Sequence, residues 1–264
     1  MEELDDKRFF ARIEELSKEA ENGGYCTFSD FMDDHKRSLL SSVEGRLPSC
    51  TALFGGTPEA ERVFAVFYPA YLEEILPEEV EKEMAILYIY PQDKRFMKRK
   101  LEHRDYLGAV LGTGIKREKI GDILMKEEDA YIFVKRTLAN YLIENLTSVG
   151  PCLIGIREAD KEDLPAPSKG EEAVVSVSSL RLDSLVARGF HLGRGDAAKL
   201  IVQGAVSKNG VQILDTDKAV TVGDKISVRG KGRIILREEL GVSKSGRLQV
   251  RIERFTGKEK AKGK

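Results

Sequence analysis

Apolar residues recur at helical spacing at the start of the chain. Phe9, Phe10, Ile13, Leu16 and Ala20 share one side of a helix over 5–21, which Asn22-Gly23-Gly24 ends. The spacing predicts a second helix over 30–43, capped by Ser29, with Phe31, Leu39, Leu40 and Val43 turned inward. Short apolar runs at 52–54 and 62–67 read as strands, and Pro69 and Pro77 bracket a connector. Between those strands, Gly55-Gly56-Thr57-Pro58 predicts a turn with one short helical loop. Glycines before a helix can cradle phosphate, but no Lys-Ser or Lys-Thr follows these, so a structural turn is the expectation.

The next stretch alternates strand and helix patterns: strands at 84–91, 120–124, 130–134 and 151–157, helices at 103–111 and 136–146. That βαββαβ order predicts a ferredoxin-like, RRM-type sheet with helices on one face. Tyr131 and Phe133 alternate onto one face of a strand, and Tyr88 and Tyr90 onto one face of another. Such aromatics stack on RNA bases in some sheets of this kind. Without a Gly-rich signature in the third strand, core packing is the expectation here.

Pro165 and Pro167 mark a linker, set at 161–178. Beyond it, Leu182, Leu185 and Val186 and then Ala197, Leu200 and Ile201 give two short helices their apolar stripes. Asp183 sits where the first begins and can accept from free backbone N–H groups. Gly204 ends the second, Asn209-Gly210 is a hairpin turn, and 225–229 is a strand. A further hairpin is expected from 233–236 and 247–255, followed by a basic disordered tail at 256–264. The chain therefore reads as α+β and multidomain: 1–76 an N-terminal α/β region, 77–160 the RRM-like domain, 179–255 a C-terminal unit of two short helices and hairpins.

Charge sharpens this division. Net charge over the 264 residues is −1. Residues 171–264 hold 19 Lys and Arg against 11 Asp and Glu, which leaves 24 against 33 in the remainder. A basic third on an acidic body is the asymmetry of a chain that meets polyanion at one end. The basic third contains only two aromatics, Phe190 and Phe255, which favours backbone and shape contacts over stacking on single strands. Three scattered cysteines without a C-x-x-C pair point to a reducing cytosol. The acidic start is no secretory signal, and no apolar run approaches the ~20 residues of a membrane span, so a cytoplasmic location without membrane contact is expected.

The chain offers little that could carry catalysis. His35, His103 and His191 have no ligand or triad spacing, and the carboxylates read as solvated helical faces. The stretch from His103 to Leu124 offers Gly108, Gly112, Gly114 and Gly121 and the basic turn Lys116-Arg117-Glu118-Lys119. It is no dinucleotide fingerprint, because Arg117 stands at the third glycine position, and no P-loop. It is either a Gly-containing turn into a strand or a second phosphate contact through Arg104, Lys116, Arg117 and Lys119. No catalytic residue, metal site or cofactor is expected.

Arg181-Leu182-Asp183, then Arg194 with Ala197, Leu200-Ile201, Gly204, Val206, Asn209-Gly210 and Val222-Gly223-Asp224-Lys225-Ile226, resembles the S4 RNA-binding domain over about 179–230. Gly193 departs from that pattern, which usually has a capping residue there. Together with the 55–62 and 103–124 segments and Ser227-Val228-Arg229-Gly230-Lys231-Gly232-Arg233, the chain resembles the YlmH-type bacterial S4-domain proteins over nearly its whole length. The resemblance implies RNA binding at the ribosome, with links to rescue of stalled translation and to cell division. Related small S4 proteins hold peptidyl-tRNA on a dissociated large ribosomal subunit.

The expected function is non-catalytic recognition of structured rRNA or tRNA by a monomer acting on the large subunit in ribosome-associated quality control. Arg181, Arg194, Lys199 and Lys208 are expected to grip phosphates, and Arg229, Lys231 and Arg233 to extend that surface. The alternatives are an RNA-modifying enzyme and a cell-division scaffold. Against the first, S4-bearing pseudouridine synthases need Gly-Arg-Leu-Asp, whereas Gly45-Arg46-Leu47 is followed by Pro48 and Gly246-Arg247-Leu248 by Gln249. The tyrosyl-tRNA synthetase signatures and a methyltransferase cofactor loop are also missing.

Overall fold

A computed structural model describes residues 2–58, 60–93, 99–166, 170–243 and 246–255. The fold is α+β and divides into two compact units, 1–167 and 168–264.

In the first unit, α1 (Glu2–Gly23), β1 (Thr27–Phe28) and α2 (Asp34–Val43) precede the hairpin of β2 (Cys50–Phe54) and β3 (Phe64–Tyr68). Asp33, not Ser29, caps α2: its carboxylate accepts from the Lys36 N–H at 3.0 Å. Ser29 instead accepts the Ala65 N–H through its hydroxyl at 2.8 Å, at the edge of β3. The expected connector between Pro69 and Pro77 is a tight 3₁₀ turn running into α3 (Leu76–Glu83), with Pro77 in the first turn, where a missing N–H costs nothing.

There follow β4 (Met84–Pro91), α4 (His103–Gly112), β5 (Ile120–Lys126), β6 (Asp129–Lys135), α5 (Ala139–Asn145), β7 (Ser148–Val149) and β8 (Cys152–Glu158). Their antiparallel sheet has the order β5-β6-β4-β8-β7. Leu87, Ile89, Ile132 and Val134 face α4 and α5 and meet Tyr106, Val110 and Leu142 in one core.

The other face of that sheet decides the aromatic question. β3 is buried at all five positions. Its Ala65 and Phe67 pack with Ile13, Leu16 and Leu40 of the N-terminal helices. Its Phe64, Val66 and Tyr68 pack with Ile86, Tyr131 and Phe133 of the larger sheet. A strand covered on both sides must be apolar at successive residues, as Phe-Ala-Val-Phe-Tyr is. Tyr131 and Phe133 are therefore 4% and 0% exposed, and Tyr88 and Tyr90 are half-buried beside them. The boundary expected at residue 76 falls inside this shared core, because neither sheet could leave that face in water.

The Gly55-Gly56 turn belongs to the same packing. Gly56 has φ +87°, and a Cβ there would come within 2.3 Å of the Phe133 ring. Asp122 on β5 accepts the N–H groups of Glu61 and Arg62 at 2.7 and 3.0 Å, fixing the far end of the loop.

The second unit opens with β9 (Glu171–Val177), followed by α6 (Leu182–Gly189), α7 (Arg194–Val202), β10 (Val206–Lys208), β11 (Val211–Gln212), β12 (Lys225–Val228), β13 (Gly232–Val242) and β14 (Leu248–Phe255). The expected linker at 161–178 is thus corrected: 171–177 is a sheet strand, paired with β14 from Val177↔Leu248 to Glu171↔Arg254. Its Ala173, Val175 and Val177 alternate onto the core side. The sheet has the order β11-β10-β12-β13-β14-β9. Leu182, Leu185, Val186, Ala197 and Ile201 of the two helices pack on Val206, Ile226, Ile234 and Ile252. Asn209 and Gly210 both have positive φ (50° and 81°), as a two-residue hairpin requires. The expected tail at 256–264 lies outside the described residues.

Candidate nucleic-acid interface

α6 and α7 bring three charged side chains together at their N-terminal ends. Asp183, in the first turn of α6, has a buried carboxylate that accepts the Ser184 N–H at 2.8 Å. The cap position is Arg181, so Asp183 is less a cap than a bridge. Its Oδ1 accepts from Arg181 Nε at 3.3 Å and its Oδ2 from Arg194 Nε at 3.1 Å. Arg194 opens α7, remains 58% exposed and also reaches the Ser184 hydroxyl at 3.4 Å. Arg181 is shared with the exposed Asp217. A guanidinium carries five N–H donors, so each arginine keeps some for a further acceptor. One buried carboxylate thus holds two guanidiniums in place beside solvent, a geometry suited to bidentate phosphate contacts.

The other expected residues divide. Lys199 is 75% exposed on α7, with Asp196 at 3.8 Å. Arg229 and Lys231 are exposed at the β12–β13 turn, and among the described residues no carboxylate lies within ion-pair distance of either. Arg233 is half-buried with its guanidinium 4.3 Å from the Phe255 ring centroid. Lys208 is corrected to a structural role. It is 17% exposed, and its Nζ lies 2.8 Å from Asp224 Oδ2 and 3.0 Å from the Ala219 carbonyl. Asp224 also accepts from Thr221 and Asn209. Burial pushes its carboxyl up, but these hydrogen bonds and Lys208 outweigh it and hold the group below its ordinary range.

The second expected patch does not come together as a phosphate grip. Arg104 and Lys116 are exposed, paired with Glu102 at 3.1 Å and Glu118 at 4.0 Å. Arg117 is spent on the carbonyls of Ile120 and Gly121 at 2.7 and 3.1 Å; burial, with Arg62 beside it, lowers it to about 10. Lys119 pairs with Asp30 at 2.7 Å, while the Phe31 N–H donates to the Glu118 carbonyl at 2.7 Å. This turn fastens the larger sheet to the N-terminal elements. A cavity of about 710 Å³ beside it is lined by Lys36, Lys119 and Lys135, matched by Asp5, Asp30 and Glu83. Paired charges of this kind present little net field to a polyanion.

Two further arginines, Arg188 and Arg247, lie near this cluster. Both are exposed and lack an ion-pair partner among the described residues, and both share a cavity with Arg194. Arg247 carried no local signal, since only the pairing of β14 with β9 brings it near α6. Among the described residues no group of three or more His, Cys, Asp or Glu is placed to hold a metal, and no helix is long and apolar enough to cross a membrane.

The family model described as "Putative RNA-binding domain in YlmH" matches residues 77–163. The chain is 32% identical over 251 residues to the ribosome-associated protein quality control protein P2 of Bacillus subtilis (strain 168), covering 95% of each. The cell division protein YlmH from Streptococcus pneumoniae is similar in structure, with a TM-score of 0.49 and 24% identity over 61% of this chain and 95% of that one. The chain belongs to the YlmH family.

Proposed function

We propose that this protein binds structured RNA, without catalysis, as a monomer at the large ribosomal subunit in the cytoplasm, in ribosome-associated quality control. In this reading residues 179–255 are an S4 RNA-binding domain with a β extension, and β4 to β8 form an RRM-like domain whose second face serves as a packing surface. The observation that carries it is the pair of guanidiniums, Arg194 exposed and Arg181 half-buried, held at the surface by one buried Asp183 in the more basic unit. The Bacillus subtilis relative's name supports the ribosomal setting. Arg181, Arg194, Lys199, Arg229 and Lys231 contact phosphates of rRNA or tRNA, and Lys208 ties β10 to the segment that leads into β12.

The test is a filter-binding titration of the full chain with bulk deacylated tRNA and with a large-subunit rRNA transcript across a salt series. Four or five phosphate contacts give a log–log slope of about −3 to −4. A folded protein that binds neither RNA at low salt overturns the reading.

A further inference from the structure

Arg188 closes the last turn of α6, and Arg247 stands immediately before β14. With Arg194, Ser178 and Ser184 they line a cavity of about 320 Å³ in the C-terminal unit. Strand pairing builds it: Leu248 opposite Val177 sets Arg247 beside the end of β9, where Ser178 follows. The Ser178 and Ser184 hydroxyls lie 3.3 Å apart, and Arg194 Nη2 reaches Ser184 Oγ at 3.4 Å. Gln249 ties the neighbouring Ser176 hydroxyl at 2.6 Å, which steadies the β9–β14 end of the cavity.

The charge balance is lopsided. Three guanidiniums share the cavity, and among the described residues Arg194 alone has a carboxylate partner, Asp183. A structural cluster would match its charges, as the lysine-lined cavity of the first unit does. Among the described residues neither the Arg188 nor the Arg247 side chain has an ion-pair or hydrogen-bond partner, and Ser178 and Ser184 line the same cavity. Guanidiniums converging on hydroxyls in a concave site are the chemistry of phosphate recognition.

The geometry points to a phosphate pocket formed jointly by α6, α7 and the β13–β14 hairpin, which takes one backbone phosphate of the bound RNA. This rests on the RNA-binding reading and goes beyond it: the C-terminal hairpin is part of the grip, with Arg247 and Arg188 as its contacts.

The experiment is fluorescence anisotropy of labelled bulk deacylated tRNA and the rRNA transcript with full-length wild type, R188Q, R247Q, R194Q and R251Q. Arg251 lies on β14, four residues on, but is paired with Glu238 at 3.5 Å, so R251Q is a charge-matched control. R188Q and R247Q each weaken binding about tenfold and reduce the salt slope by about 1. R251Q stays within about twofold, and R247K, which keeps the charge but loses the fork, recovers only part of the loss. Wild-type affinity in both R188Q and R247Q, with R194Q impaired, overturns the pocket and leaves the RNA reading standing. Absence of binding by the wild type overturns both. Stabilisation of wild type but not R247Q by inorganic phosphate at matched ionic strength, with RNA affinity equal in the two, assigns the pocket to a free anion and overturns the RNA assignment.

Discussion

Asp183 and Arg194 are eleven residues apart in sequence, yet the Asp183 carboxylate accepts the Arg194 Nε–H at 3.1 Å while its other oxygen faces Arg181. The pair locks the start of α7 against the start of α6. It also sets Arg194 at the surface in one orientation, so that little side-chain entropy is left to lose on meeting a phosphate.

The first prediction concerns Arg194 itself. Arg194→Ala weakens RNA binding by about 1–3 kcal/mol, the range for loss of a charge-assisted hydrogen bond. Its thermal melt falls, because the buried Asp183 loses one of its two cations and keeps only Arg181. A filter-binding titration alongside a melt checks both parts; unchanged affinity in a folded variant removes Arg194 from the interface.

Lys208 behaves in the opposite way. Lys208→Met leaves Asp224 buried without its cation and destabilises the C-terminal unit by about 3 kcal/mol, the lower end for severing a buried pair. RNA affinity of the folded fraction stays within about twofold. Urea unfolding and a binding titration separate the outcomes, and a large affinity loss at undiminished stability contradicts the structural role.

Phe133 tests whether the aromatic sheet face is core. Phe133→Ala removes a ring packed against Gly56 and the β3 side chains and costs about 3–5 kcal/mol of stability. A base-stacking residue would show the reverse pattern, a stable variant with weakened RNA binding.

Asp105 gives a pH dependence. Arg99 donates to both its oxygens at 2.7 Å each, and this, helped by the Glu102 N–H, outweighs partial burial and holds the carboxyl at about 2. An unfolded Asp titrates near about 3.9, so the group stabilises the fold fully above that pH and loses its contribution as pH falls toward about 2. Asp105→Asn melts below wild type at neutral pH, and the gap closes on acidification through that window. A gap that does not change from pH 6 to pH 2 contradicts the assignment.

Much of this was legible in the residues. Leu182, Leu185 and Val186 marked α6, Asn209-Gly210 marked the hairpin, and the strand–helix alternation from Met84 to Glu158 marked the larger sheet, because each signal is local. What escaped depends on partners distant in sequence. β9 was hidden behind Pro165 and Pro167, and the strand it pairs with begins at Leu248. The alternation of Tyr131 and Phe133 was visible, but the N-terminal sheet that covers them was not. Lys208 looked like a surface cation until the hairpin brought Asp224 beneath it, and Arg247 had no signal at all.

The most direct measurement is sucrose-gradient sedimentation of a cell lysate at low and high salt, probed for wild-type protein and for the R181A/R194A variant. The account predicts that wild type travels with large ribosomal subunits at low salt and leaves them as salt rises, while the variant stays at the top throughout. Wild type at the top of the gradient even at low salt, or a variant that travels with the subunits as wild type does, would contradict it.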